Sequence, residues 1–227
     1  MERFVYLKLT KTTDYVEFTV LDKYLKPFTL RVLRPLANMF IRLGFRPDWL
    51  TLIGLAFSIV AAVVFATGHL AWGAVVMMFA GLCDILDGQV AREGRKETKF
   101  GGLLDSTTDR YAEIFLYFGI GYYLIVKDQW IPAGVLFFAI TGSLMVSYVR
   151  ARAEGLGEEC KVGFMQRPER LCALGLGCLI GHEGLVMVLV LLAVTTNYTV
   201  VERLNYIRSK LNSNTTITVD PVRQGST

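Results

Sequence analysis

Charge is scarce in this sequence. Of 227 residues only 19% are Asp, Glu, Lys or Arg, whereas 53% are hydrophobic. That balance places the chain among membrane proteins before any motif is read. Cysteine is sparse and unpatterned. Cys83, Cys160, Cys172 and Cys178 show no C-x2-C spacing, which argues against a zinc site or a disulfide framework. Cys83 adjoins an aspartate, but metals that prefer oxygen avoid thiolates, so it reads as a small packing residue. A cleavable leader is also missing: residues 1–46 are charged and broken, with no short apolar core ending in a small-residue cleavage site. The first membrane span is then expected to act as its own insertion signal. No internal repeat emerges, and a single membrane domain is expected.

Long apolar runs are what the sequence does have. Trp49–Thr67 holds no charge and is long enough to span a bilayer. Further spans are expected at Leu70–Ala91, at about 102–126, at Ile131–Val149, from about Gln166 to 180, and at Gly184–Val200. Ahead of them, residues 28–44 set Leu30, Leu33, Leu36, Met39, Phe40 and Leu43 on one stripe, with Arg31, Arg34 and Arg42 off it. This pattern predicts an amphipathic helix lying in the interface among anionic lipid head groups, with a kink or a start near Pro35. An ordinary helix packed on the bundle is the alternative. The expected architecture is therefore an all-α integral membrane protein of six transmembrane helices plus an N-terminal interfacial helix. Residues 1–27 form a cytoplasmic lead-in, 28–210 the membrane domain and 211–227 a flexible polar tail.

The net charge of +4 matters less than its distribution. Lys and Arg occupy the lead-in, the turn at 92–99, the stretch 150–170 and the end after Glu202, whereas the opposite loops hold almost none beyond Lys127. By the positive-inside rule the basic side is cytoplasmic, with both termini on it. Six apolar spans exclude a soluble nucleic-acid binder.

Against this apolar background stands one acidic stretch, DILDGQVAREGRKETKFGGLLDSTTD, running from Asp84 to Asp109. Asp84 pairs with Asp87 and Asp105 with Asp109, at spacings of three and four that put each pair on one helix face. Two helices joined by the basic turn 93–100 could bring all four together. Carboxylates at membrane depth are costly and by default mark a functional site facing the bundle interior. Interfacial carboxylates paired with Arg92, Arg95 and Lys99 are the bland alternative, and four at these spacings weigh against it. Such oxygen ligands suit hard divalent cations, and a pair of metals can clamp both sides of a phosphoryl displacement. With no soft ligand at suitable spacing, Mg²⁺ is expected, Mn²⁺ as a substitute, and two ions per site.

The run Asp84-x2-Asp87-Gly88-x2-Ala91-Arg92-x8-Gly101-x3-Asp105-x3-Asp109 resembles, without a mismatch, the signature of the CDP-alcohol phosphotransferase family, integral membrane enzymes that make phospholipid head groups. The wider resemblance covers about residues 30–210. It implies a metal-dependent transferase that moves a phosphatidyl-type group from a CDP-linked lipid, CDP-diacylglycerol or CDP-archaeol, to an alcohol and releases CMP. Asp84, Asp87, Asp105 and Asp109 would hold metal, and Asp109, one turn deeper, would also take the attacking hydroxyl's proton. Gly88, Ala91, Arg92 and Gly101 would contact the CDP-lipid, the glycines by letting a nucleotide approach the backbone and Arg92 by meeting phosphate. Close helix packing is the compatible alternative for the glycines. Family members often carry Pro-Asn-x-x-Thr at the head of the first span. Here Asp48 replaces the Asn in Pro47-Asp48-Trp49-Leu50-Thr51, which leaves Thr51 as the nucleotide-side candidate. The resemblance also implies a homodimer.

A second basic cluster bears on the acceptor. Arg150, Arg152, Lys161, Arg167 and Arg170 fall in about twenty residues, more than a topology signal needs, and read as a second phosphate site. SYVRARAEG followed by RPER resembles the branch of the family that uses inositol phosphate. The expected acceptor is therefore a small phosphorylated alcohol, inositol phosphate first, with glycerol 3-phosphate as the alternative. Outside the class stand a cation-binding transporter and a non-catalytic scaffold. A transporter should spread polar groups through both halves of the bundle, and here the acidic groups gather at one end. A scaffold should have lost a motif carboxylate, and none is missing.

Overall fold

A computed structural model describes residues 26–217 except 161 and 164, with side chains from residue 29 to 212. The lead-in up to residue 25 and residues 218–227 of the expected tail lie outside the described residues. Seven helices follow one another: α1 Lys26–Arg42, α2 Pro47–Ala66, α3 Leu70–Glu93, α4 Lys99–Val126, α5 Trp130–Glu154, α6 Arg167–Ile180 and α7 His182–Ile217. No strand occurs among the described residues.

The ends of these helices follow from local chemistry. Pro47 opens α2, where its missing N–H and fixed φ suit the first turn. Thr98 caps α4, its hydroxyl accepting from the Gly101 N–H at 2.9 Å. Gly68, with φ +85°, makes the tight turn between α2 and α3. α1 continues through Pro35, so the helix starts ahead of that residue and not at it. Its inner face packs Leu33, Leu36, Phe40 and Ile41 around buried Ala37 and against Leu50, Leu86 and Val90. Gln89 of α3 fastens it further by donating to the Leu30 carbonyl at 3.0 Å. Met39 and Leu43, on the same expected stripe, are exposed.

α2 packs along α3 and α4, α5 along α7, and α6 fits between α3 and α7. Two glycines allow the closest approaches. A Cβ on Gly119 of α4 would lie 2.1 Å from the Ala62 carbonyl oxygen, and one on Gly142 of α5 would lie 2.1 Å from Thr196 Oγ1. Small residues at such crossings are the usual means of bringing helices together in lipid. The core beneath the site gathers Phe65, Met77, Leu116, Ile120, Leu174 and Leu189. Large apolar side chains also point outward, Trp72, Phe118, Phe137, Met187 and Tyr198 among them. A surface of that kind suits lipid rather than water.

The count of spans differs from expectation. Four of the described helices are long and apolar enough to cross a membrane: α2, α3, α5 and α7 up to Asn212. α4 has the length, 28 residues, but carries Asp105, Asp109, Arg110 and Glu113 along its N-terminal part. α6 has 14 residues, about 21 Å at helical rise, short of the roughly 30 Å hydrocarbon core. α7 continues to Ile217, past residue 211 where the polar tail is expected to begin. All the turns nonetheless sort to two ends. Tyr123 links the turn at Gly68 to His182, whose Nδ1 lies 3.2 Å from its hydroxyl. At the other end Lys96 donates to the Phe45 carbonyl at 3.1 Å, and Lys210 to the Glu159 carbonyl at 3.0 Å.

Candidate active site

α3 and α4 are joined through residues 94–98, each packs against α2, and carboxylates of the two Asp pairs converge from them. One carboxylate oxygen from each of Asp84, Asp105 and Asp109 lies within 4.8 Å of the others. Asp87, a turn nearer the 94–98 turn, is buried and held differently: the Thr51 hydroxyl donates to its Oδ2 at 2.6 Å. It remains close enough to Asp84 and Asp105 for their charges to interact. The four expected carboxylates are thus brought together as a triplet plus one oriented neighbour. Cys83 packs against α2, its Cβ 3.2 Å from where a Cβ on Gly54 would stand.

Asp84, Asp87 and Asp109 line a small open cleft, together with Thr51, Thr108, Glu113 and Arg167. Its inner wall is apolar, with Leu55, Met77, Ala80, Leu116 and Leu171. Gly88 and Gly101 stand in different surroundings. A Cβ on Gly88 would meet the folded-back Arg92 guanidinium at 3.1 Å, and one on Gly101 would stand 3.3 Å from Asp48 Oδ1. Asp48, where the family often has Asn, therefore faces the first turn of α4. Ala91 is half-buried, and Arg92 is exposed.

The basic cluster divides into unlike parts. Arg167, the first residue of α6, reaches into the acidic triplet: its Nη1 lies 2.9 Å from Asp84 Oδ1 and 2.9 Å from Asp109 Oδ1. Arg150 pairs with Glu154 at 2.9 Å on the exposed end of α5, and Arg152 is exposed beside it. Lys161 lies outside the described residues. Arg170 corrects the expectation of a phosphate ligand. It is 1% exposed, its Nε and Nη2 grip Glu113 at 2.9 and 3.0 Å, and its Nη1 donates to the Met165 carbonyl at 3.2 Å. A guanidinium so enclosed has neither access nor a free face for a ligand. Buried charge in lipid needs such a partner.

Two charged groups near the site were not anticipated from the sequence. Glu113 continues the spacing of Asp105 and Asp109 by four residues, a signal that was available. Arg203 sits within apolar α7, 2% exposed, and donates to the carbonyls of Val162 at 2.8 Å and Val146 at 2.6 Å. An arginine at that depth is itself a signal. It fastens the loop at 155–166 to α5 and α7, within electrostatic reach of Arg150 and Arg170.

Fold and site together define a multi-pass membrane protein with an acidic cation site at the mouth of a cleft and arginines beside it. The donor set fits a hard divalent cation: all oxygen, converging from two helices, with a side-chain cation already drawn among them. Residues 45–208 match the family model described as CDP-alcohol phosphatidyltransferase. The chain belongs to that family and is a transferase. It is 36% identical over 190 residues to the archaetidylinositol phosphate synthase of Methanothermobacter thermautotrophicus, covering 82% of this chain and 93% of that one. Its fold resembles the crystal structure of Mycobacterium tuberculosis phosphatidylinositol phosphate synthase with CDP-DAG bound. There the TM-score is 0.73 and the identity 29%, over 87% of this chain and all of the other. The same enzyme in complex with manganese and citrate matches with a TM-score of 0.72 and 30% identity, over 85% and 92% of the chains.

Proposed function

We propose that the protein transfers a phosphatidyl-type group from a CDP-linked lipid to inositol phosphate, releasing CMP. The observation that carries this is the convergence of Asp84, Asp105 and Asp109 at a cleft mouth with an arginine among them. The names of its relatives support the acceptor, and the CDP-DAG complex of the similar structure supports the donor. Asp84, Asp87, Asp105 and Asp109 would hold divalent metal, two ions, Mg²⁺ in the cell with Mn²⁺ able to replace it. When bound, the metal supplies the charge neutralisation that a pyrophosphate needs before an alcohol can attack it.

The chain's own residues do the rest. Thr51 orients Asp87 through its hydroxyl. Gly88, Ala91 and Gly101 leave room for the nucleotide against the helix backbone, and Arg92 meets its phosphates. Asp109 accepts the proton of the acceptor hydroxyl as that oxygen bonds to the lipid-side phosphorus and the bond to the CMP oxygen breaks. Arg150, Arg152 and Arg167 hold the acceptor's phosphate, whose oxygens match the paired donors of guanidinium. The site and both termini face the cytoplasm, six helices traverse or enter the membrane, and two copies associate.

The test is CMP release by purified enzyme given CDP-diacylglycerol and a panel of acceptors, with and without a chelator. Inositol phosphate should outrun free inositol, serine and glycerol, and chelation should abolish turnover. Preference for glycerol 3-phosphate would move the protein to another branch of the family. Preference for an unphosphorylated alcohol would return the arginine cluster to a topology signal.

A further inference from the structure

Among the described residues, Arg167 is the cation that bridges Asp84 and Asp109, while Arg110 stands further off, its Nη1 4.0 Å from Asp109 Oδ2. A single atom, Nη1, lies 2.9 Å from Asp84 Oδ1 and 2.9 Å from Asp109 Oδ1. A divalent cation coordinated by those oxygens sits at about 2.0–2.6 Å from each, so it and Nη1 cannot share the position. We propose that Arg167 is the acidic cluster's own counter-cation, that it competes with the divalent metal for Asp84 and Asp109, and that metal binding frees its guanidinium for the acceptor phosphate.

Three features make this competition workable. Without a cation the three carboxylates repel one another, and a guanidinium between them keeps the cluster assembled. The seat is only partly satisfying, because Arg167 Nε is buried without a hydrogen-bond partner among the described residues. The side chain therefore has a donor to gain by moving. Its backbone, meanwhile, is anchored. Arg170, one turn on, is gripped by Glu113 at 2.9 and 3.0 Å in a pair almost closed to solvent. Arg167 itself opens α6 from the extended Gln166, with Pro168 in the first turn. A cation at a helix N-terminus also opposes the helix dipole, which favours release. The anchor keeps α6 in place while a long side chain exchanges one anionic partner for another. Metal and acceptor would then bind cooperatively, since each removes an obstacle to the other.

This rests on the reading that the cluster holds divalent metal, and the experiment separates the two. Mn²⁺ binding is measured on the purified full-length protein from the electron paramagnetic resonance signal of free Mn²⁺, without turnover. Arg167→Gln should bind Mn²⁺ about ten-fold more tightly than the parent, the worth of displacing one charge-assisted contact. Arg167→Lys, which keeps the charge, should fall between them. Inositol phosphate should tighten Mn²⁺ binding in the parent and lose that effect in Arg167→Gln. A second readout needs no variant: Mn²⁺ should raise phenylglyoxal modification of Arg167, mapped by mass spectrometry, and leave Arg170 unmodified. Unchanged or weaker Mn²⁺ binding in Arg167→Gln overturns the competition and leaves the metal site standing. So does saturation of the parent with Mn²⁺ at unaltered Arg167 reactivity. No saturable Mn²⁺ binding in either protein defeats the metal reading itself.

Discussion

Asp109 meets two demands at once. Its carboxylate belongs to the triplet with Asp84 and Asp105, and its Oδ1 is engaged by Arg167. As the group proposed to take the hydroxyl proton, it should matter most for turnover. Asp109→Asn is expected to lower kcat by at least about 100-fold while CDP-lipid binding largely survives, because proton transfer contributes about 10²–10⁴. Asp84→Asn should instead weaken Mn²⁺ and CDP-lipid binding together, as read by direct titration. Near-normal turnover in both variants would mean the site is elsewhere. Thr51 offers a finer probe, since its hydroxyl donates to Asp87 at 2.6 Å and both groups are buried. Thr51→Val should weaken metal-dependent CDP-lipid binding by about 1.5–3 kcal/mol, the usual worth of a hydrogen bond to a charged group. An unchanged Kd would show that Asp87 needs no help to stay oriented.

At the scale of helices, α6 decides how the arginines are used. Arg150 is exposed and pairs with Glu154 on the surface, a contact that is easily exchanged. Arg170 is locked by Glu113 in the interior. Arg150→Ala should therefore raise the acceptor KM by about ten-fold and leave the CDP-lipid KM and the melting temperature alone. Arg170→Met should do the reverse. It strands a buried carboxylate and should lower stability by about 3–5 kcal/mol, whereas Arg170→Met with Glu113→Leu should recover most of the loss. Thermal melts in detergent distinguish these cases. If the double variant melts no higher than the single one, the pair is not what fixes α6.

These two arginines also show where the sequence was readable. The Asp pairs were legible because three- and four-residue spacing is local and converts directly into a helix face. Glu113 and Arg170 are 57 residues apart, and nothing in the spacing of either indicates the other. Arg170 looked like another member of a basic run, and only tertiary packing turned it inward. α6 occupies Arg167–Ile180, close to the expected bounds of the fifth span. Leu171–Ile180 is apolar, but it is wedged between α3 and α7, so its hydrophobic face is satisfied by protein as well as lipid. α1 likewise tolerated Pro35 because contacts along its inner face and the Gln89 bond hold it against α3.

At the scale of the molecule, both ends of the bundle can be compared for charge. The end carrying the acidic cleft holds the turns at 43–46, 94–98 and 155–166, and with them Arg46, Arg95, Lys96 and the arginines of α5 and α6. The far end, where Tyr123 joins Gly68 and His182, carries Lys127 beside Asp128 and Glu183. Insertion retains Lys and Arg on the cytoplasmic side, and the asymmetry here is concentrated in short turns, where that bias is strongest. Under the proposed function the cleft would then open to the compartment that supplies a soluble, phosphorylated acceptor, and its apolar wall would meet a lipid donor from within the membrane. The expectation can be checked with single cysteines in a background where Cys83, Cys160, Cys172 and Cys178 are replaced. In intact cells an impermeant maleimide should label Asp128→Cys and spare Lys96→Cys until the membrane is opened. The reverse pattern would place the cleft outside, where an acceptor of this charge would have to be supplied by secretion, and the proposed acceptor would fall with the orientation.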